Sequence, residues 1–235
     1  MIRWLLMFSL SVALEVSVCC SVNAQFGQRI HDSIPLRFGY CLLIRGYETD
    51  CVDCGGNDVN TLTLMKDHKK VFGDTNNQYI KDEVYPLLLH FGMGHDEILL
   101  RFGDAPSLDE VIRLFIKDNS LVKIDTLPSF DRGASDLAGD GKPRFAAIWD
   151  LRQEWDDSLG VQLTTYEPIL YYKLTDLGLI LDSTMTRSAN KRIYGKFYGY
   201  EPTEEKSFPA ARVNRRFASE WKRIKNARKL TLNGF

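Results

Sequence analysis

The stretch Asp136-Leu137-Ala138-Gly139-Asp140-Gly141-Lys142-Pro143-Arg144 has residue types and spacing that suit a hard cation. Calcium loops of the D-x-D-x-D-G type place side-chain oxygens at alternate positions, turn sharply at glycine and add a backbone carbonyl. Asp136, Asp140 and the Lys142 carbonyl are the candidate calcium ligands, with Asp131 as a further carboxylate upstream. Calcium needs six or more oxygens. Ala138 at a ligand position and Arg144 where a carboxylate would serve both count against a filled site. A tight turn without metal is the alternative reading of the same residues.

His90 and His95 flank Gly92 and Gly94 and are followed by Asp96 and Glu97. Acid/base or metal chemistry is conceivable there, but no H-E-x-x-H pattern accompanies the pair. Ordinary loop histidines are the plainer reading. Cys51-Val52-Asp53-Cys54-Gly55-Gly56 lacks the second ligand pair that zinc requires, and its glycines read as loop. Cys41, Cys51 and Cys54 are therefore candidates for one disulfide and one leftover thiol, with the pairing open. The chain contains no G-x-S-x-G elbow and no phosphate loop.

The elements that carry these residues form a repeat. Three segments share an apolar strand, a variable stretch, a second strand, an aspartate turn and a third strand. The first unit uses Leu42–Arg45, Leu62–Asp67 and Val71–Thr75. The second uses Ile98–Arg101, Ile112–Asp118 and Leu121–Thr126, and the third Phe145–Trp149, Ile169–Asp176 and Leu179–Ser183. The turns recur at roughly 50 to 60 residues, a period in the range of propeller blades. Ser107-Leu108-Asp109-Glu110 spells a helix-capping box, which conflicts with the repeat. The β-branched and aromatic run that follows favours a strand. Between the first two units, Ile80, Val84, Leu87 and Leu88 are helically spaced, so a short helix or ordered loop is expected over Asn77–Leu89.

The Asp136–Arg144 loop directly before an apolar strand resembles the FG-GAP or VCBS repeat of integrin-like propellers. Gly92–Ile98 looks like a more degraded copy. The resemblance spans about residues 40–185 and implies a β-repeat architecture. Three units are few for a closed propeller. The expected fold is mainly β: about three antiparallel units, open propeller-like or sandwich-like, closed by a C-terminal amphipathic helix.

The ends of the chain complete the division. Residues 1–24 read as a secretory signal: Arg3, an apolar run from Trp4 to Leu14, and small residues at Val22 and Ala24. Glu15 inside it leaves a retained anchor as the alternative, and no later segment is apolar long enough to span a bilayer. Residues 25–206 form the β-repeat domain and 207–235 a basic helix, with Ser207 as cap and Pro209 in its first turn. Val213, Phe217, Trp221 and Ile224 share one face of that helix. The tail carries eight Lys or Arg against Glu220, leaving about −8 on residues 25–206. Docking of the helix on the acidic body satisfies both charges, and no nucleic acid is expected as partner. The expectation is an exported, periplasmic or secreted, non-catalytic protein that binds a protein or cell-envelope partner. An exported hydrolase using His90 or His95 with nearby carboxylates is the alternative.

Overall fold

Turns through aspartate reverse the chain in each repeat unit, and each unit folds as a three-stranded antiparallel meander. The computed structural model describes residues 29–47, 58–75, 78–92, 94–104 and 107–232; residues 1–24, read as a secretory signal, and the Cys51–Cys54 motif lie outside the described residues. Strand β1 (Arg29–Pro35) pairs with β2 (Tyr40–Tyr47), which opens the first unit and is followed by β3 (Asp58–Lys66) and β4 (Lys69–Thr75). Two short strands, β5 (Gln78–Ile80) and β6 (Leu87–His90), precede the second unit of β7 (His95–Asp104), β8 (Ser107–Lys117) and β9 (Ser120–Phe130). The third unit is β10 (Arg144–Ile148), β13 (Leu170–Thr175) and β14 (Gly178–Leu181). Strands β11 (Glu154–Asp156) and β12 (Gln162–Tyr166) are inserted within it and pair in a small sheet with β15 (Thr203–Pro209).

The first two units share their turn chemistry in detail. Asp67-His68 and Asp118-Asn119 all have positive φ, between 46° and 66°, which is what a two-residue type I′ hairpin demands. The turn aspartates donate their N–H groups to the carbonyls of Gly39 and Gly94, at 3.1 and 3.0 Å. Each of those glycines stands just before its unit's first strand. A Cβ on Gly39 or Gly94 would fall 2.3 or 2.6 Å from the aspartate Oδ1, so both positions require glycine. The third turn differs, with positive φ confined to Gly178 at 126°.

Alternation along β7 sends its side chains into two cores. Ile98, Leu100 and Phe102 face Tyr40, Leu42 and Leu64 of the first unit, making a two-sheet sandwich. Leu99 points the other way, into a core shared with Val111, Phe145, Leu170 and Leu179. Those residues come from both remaining units because β9 pairs with β10, Phe130 opposite Ala147. Units two and three therefore form one eight-stranded sheet, ordered β14-β13-β10-β9-β8-β7-β5 with β6 also on β7. That sheet curls around its own apolar face.

A third core lies on the outer face of the third unit, where Ala146 and Tyr171 meet α1 (Ser183–Tyr194) and α2 (Ala210–Asn226). Helix α1 is absent from the sequence expectations. Asp182 caps it by accepting from the Met185 N–H at 3.1 Å, and Gly195 ends it at φ 85°. Helix α2 docks as expected, with Val213 and Ile224 buried and Phe217 and Trp221 packed alongside. It starts at Ala210 rather than at a Ser207 cap, because Ser207 pairs with Thr165 in β15. Two of its cations find partners within the protein: Arg216 donates to the Ile193 carbonyl, and Arg223 pairs with Glu220. Just beyond the helix, Arg228 reaches Asp136 and Lys229 reaches Glu83. No described helix is long and apolar enough to cross a membrane.

Of the two expectations for Asn77–Leu89, the helix does not form: β5 and β6 lie at its ends, and residues 81–86 between them form a loop. Leu88 packs into the sandwich while Leu87 and Leu89 enter the other core. That is strand alternation, and the i, i+3, i+4 spacing is incidental. The capping-box run Ser107–Glu110 lies within β8, the strand that the repeat required. The docked tail helix carries a testable consequence. Ile224 is fully buried, so Ile224→Ala should cost about 2–5 kcal/mol in denaturant unfolding through the cavity it leaves.

Candidate functional site

Strand β7 presents His95, Asp96 and Glu97 in succession, so the outer two share a face and Asp96 takes the other. Asp96 is buried toward the sandwich. Its Oδ2 accepts from the Tyr40 hydroxyl at 2.7 Å, and its Oδ1 lies 2.6 Å from His90 Nδ1. The His90 ring stacks on Phe38 at 4.0 Å. Burial first, then the Asp96 contact, push the Tyr40 hydroxyl far above the usual phenol range. This chain of contacts ties β2, β6 and β7 together.

On the opposite face, Glu97 is 1% exposed and sits beneath edge strand β14. Its Oε1 accepts from the Leu179 N–H at 3.4 Å, and Arg113 on β8 donates to the Leu179 carbonyl at 2.7 Å. Arg113 also donates to Asp125 at 2.6 Å and lies 3.7 Å from Glu97 Oε2, which has no hydrogen-bond partner among the described residues. Burial raises the Glu97 carboxyl to about 7, against the opposing pull of Arg113. His95 Nε2 is 3.5 Å from Glu97 Oε1.

His95 also lines a cavity of about 390 Å³ with Phe91, Phe115, Lys117, Val122, Asp176 and Leu177. The Phe91 and Phe115 rings lie 5.1 and 6.5 Å from the His95 ring. Val122 and Leu177, 62% and 84% exposed, stand at the surface of this cavity. They come from β9 and from the third unit's turn, so the site exists only where units two and three meet. Such a cavity has an aromatic floor, apolar rims, a histidine backed by a buried carboxylate and one charged side chain of each sign, the features of a recognition site.

The Asp136–Arg144 loop brings its residues together around an internal cation. Asp140 binds the Arg144 guanidinium through both oxygens, at 2.6 and 2.9 Å, and the Lys142 carbonyl lies 3.4 Å from the same group. The contact with Arg144 holds the Asp140 carboxyl well below the usual carboxylate range. Asp136 accepts from the Gly141 N–H at 3.0 Å and faces Arg228. Gly139 and Gly141 both have positive φ, as the sharp turn needs.

The two histidines offered as alternatives for acid/base chemistry thus lie on opposite faces of the β6–β7 pair. The candidate calcium ligands Asp136 and Asp140 are engaged by Arg228 and Arg144. No Ser, Thr or Cys hydrogen-bonds either histidine among the described residues. No group of three or more His, Cys, Asp or Glu converges as a metal site among them either. Cys41 forms no disulfide among the described residues and lies 3.1 Å from Ser33 Oγ; Cys51 and Cys54 lie outside them. The aromatic cavity escaped sequence reasoning because Phe91, Phe115 and Leu177 are distant in the chain. The one visible signal was His95 followed by Glu97.

No protein-family model matches the chain. Searches of curated proteins and of solved structures return no match either.

Two outcomes follow from this geometry. The folded protein holds the Glu97 proton more tightly than the unfolded chain, whose value is 4.5. The contribution is complete below pH 4.5 and lost as pH rises through 7, a loss of up to about 3 kcal/mol. Unfolding of Glu97→Gln and the parent protein, compared at pH 5 and pH 8, should show that loss only in the parent. For the loop, melting with saturating calcium or with chelator should give the same midpoint, since any ion bound at a folded site would raise it. Arg144→Ala should lower the midpoint in both solutions.

Proposed function

We propose that this is an exported, non-catalytic β-repeat protein that binds a protein partner at the cavity between its second and third units. The observation that carries the reading is the pairing of two highly exposed apolar residues, Val122 and Leu177, with the aromatic floor of Phe91 and Phe115. A solvent-facing leucine and valine beside an aromatic pocket form the kind of exposed apolar surface that marks a protein-interaction site. Lys117 and Asp176 add one charge of each sign to select the partner's orientation. The proposed relation to degenerate FG-GAP or VCBS-like repeats rests on the Asp136–Arg144 loop before an apolar strand and on the spacing of the strands.

A specific observation favours one second reading. His95 opens onto the cavity and rests on a buried carboxylate that titrates near 7, a pairing able to exchange a proton with a bound substrate. That reading makes the protein a hydrolase with His95 as acid/base.

A photo-crosslinking amino acid placed at Leu177 should capture a defined protein from the exporting cell's envelope or medium. The same probe at Leu159, equally exposed at 85%, should capture none. Val122→Lys should abolish the Leu177 adduct without unfolding the protein. Identical adducts at both positions would remove the binding reading, and hydrolysis lost in His95→Ala would establish the second one.

A further inference from the structure

On the outer side of the third unit, four cations from four elements border one open cavity of about 710 Å³. Arg144 comes from β10, Lys173 from β13, Arg192 from α1 and Arg223 from α2. The exposed hydroxyl residues Thr184 and Ser188 of α1 line the same space, and Asp182 is its one lining carboxylate.

The arginines have internal partners. Arg144 is held by Asp140 and Asp182, at 2.6 and 3.3 Å. Arg192 and Arg223 share the buried Glu220, at 2.9 and 2.7 Å, and the Tyr171 hydroxyl donates to the same carboxylate. Lys173 has none: it is half-buried and forms no hydrogen bond or ion pair among the described residues. It also lies directly opposite Arg144 in the β10–β13 pair. Like charges facing each other across strands destabilise a sheet, and a partly desolvated ammonium without a counter-charge costs more. Three carboxylates answer the three arginines, and the surplus positive charge is that of Lys173.

We propose that this groove binds an oxyanion, a phosphate or sulfate group. Lys173 supplies the surplus charge, the Arg192 guanidinium, held by Glu220, borders the groove, and the Thr184 and Ser188 hydroxyls, the latter accepting from Arg192, keep O–H groups to donate. Charge-assisted hydrogen bonds to such a group would replace the counter-charge that the fold withholds from Lys173. The groove lies on a different face of the third unit from the His95 cavity, and its ligand is independent of the protein partner proposed there.

The test uses the whole mature chain in two arms, inorganic phosphate against chloride at matched ionic strength, and phosphatidylglycerol vesicles against neutral ones. Phosphate should raise the melting midpoint above chloride, and calorimetry should show at least tenfold weaker binding for Lys173→Met. Without phosphate, Lys173→Met should melt no lower than the parent, because the variant removes the opposition to Arg144. Lys206→Met, an exposed lysine on β15, should bind as the parent does. Binding lost in Lys173→Met in either arm supports the site and names its source as free or lipid-borne phosphate. Equal midpoints in phosphate and chloride together with no vesicle binding, or binding unaffected by Lys173→Met, would overturn it.

Discussion

Strand β14 ends the eight-stranded sheet, and an edge strand normally offers its free backbone groups to solvent or to another chain. Here two side chains answer them. The Glu97 carboxylate takes the N–H of Leu179 and the Arg113 guanidinium takes its carbonyl, so β7 and β8 read β14 as a neighbouring strand would. The approach is so close that a Cβ on Gly178 would sit 2.3 Å from Glu97 Oε1. A buried carboxylate is costly, and its burial appears directly in the raised Glu97 proton affinity. The contact closes the curl of the sheet and brings Leu177 beside Phe115. Together with the β9–β10 pairing and the core the two units share, it fixes the third unit over the second and walls the His95 cavity on that side.

Much of the architecture was legible because turn chemistry is local. Aspartate followed by a residue that tolerates positive φ identifies a hairpin from a handful of residues, and the three units follow from it. The pairing of β9 with β10 was not legible, since nothing in either strand says which edge it will meet. Helix α1 was hidden for another reason. Asp182 was read as the end of a strand, while the pattern of Thr186, Ala189, Asn190 and Ile193 on its buried face mixes polar with apolar residues. The helical spacing over Ile80–Leu88 misled because leucines that alternate between two cores leave no polar face to expose the period.

The site residues divide along the same line. Asp136, Asp140 and Lys142 were recognised as a loop, and the loop forms, but the cation at its centre belongs to Arg144. Sequence had already marked that arginine as out of place for calcium. His90 and His95 were paired by proximity in the chain, yet strand alternation and the hairpin put them on opposite faces, each against its own buried acid. What looks like one cluster of histidines and carboxylates is two. One fastens the sandwich, and the other supports the cavity where the protein is proposed to meet its partner.

The account stands on the capture of Leu179 by Glu97 and Arg113, and amide hydrogen exchange reads that contact directly. If the carboxylate and guanidinium hold this edge residue, its N–H should exchange as slowly as the core amides of β13, and Arg113→Met should release it selectively. Exchange of the Leu179 amide at the rate of an open strand edge in the parent protein would contradict the closure on which the fold and its cavity depend.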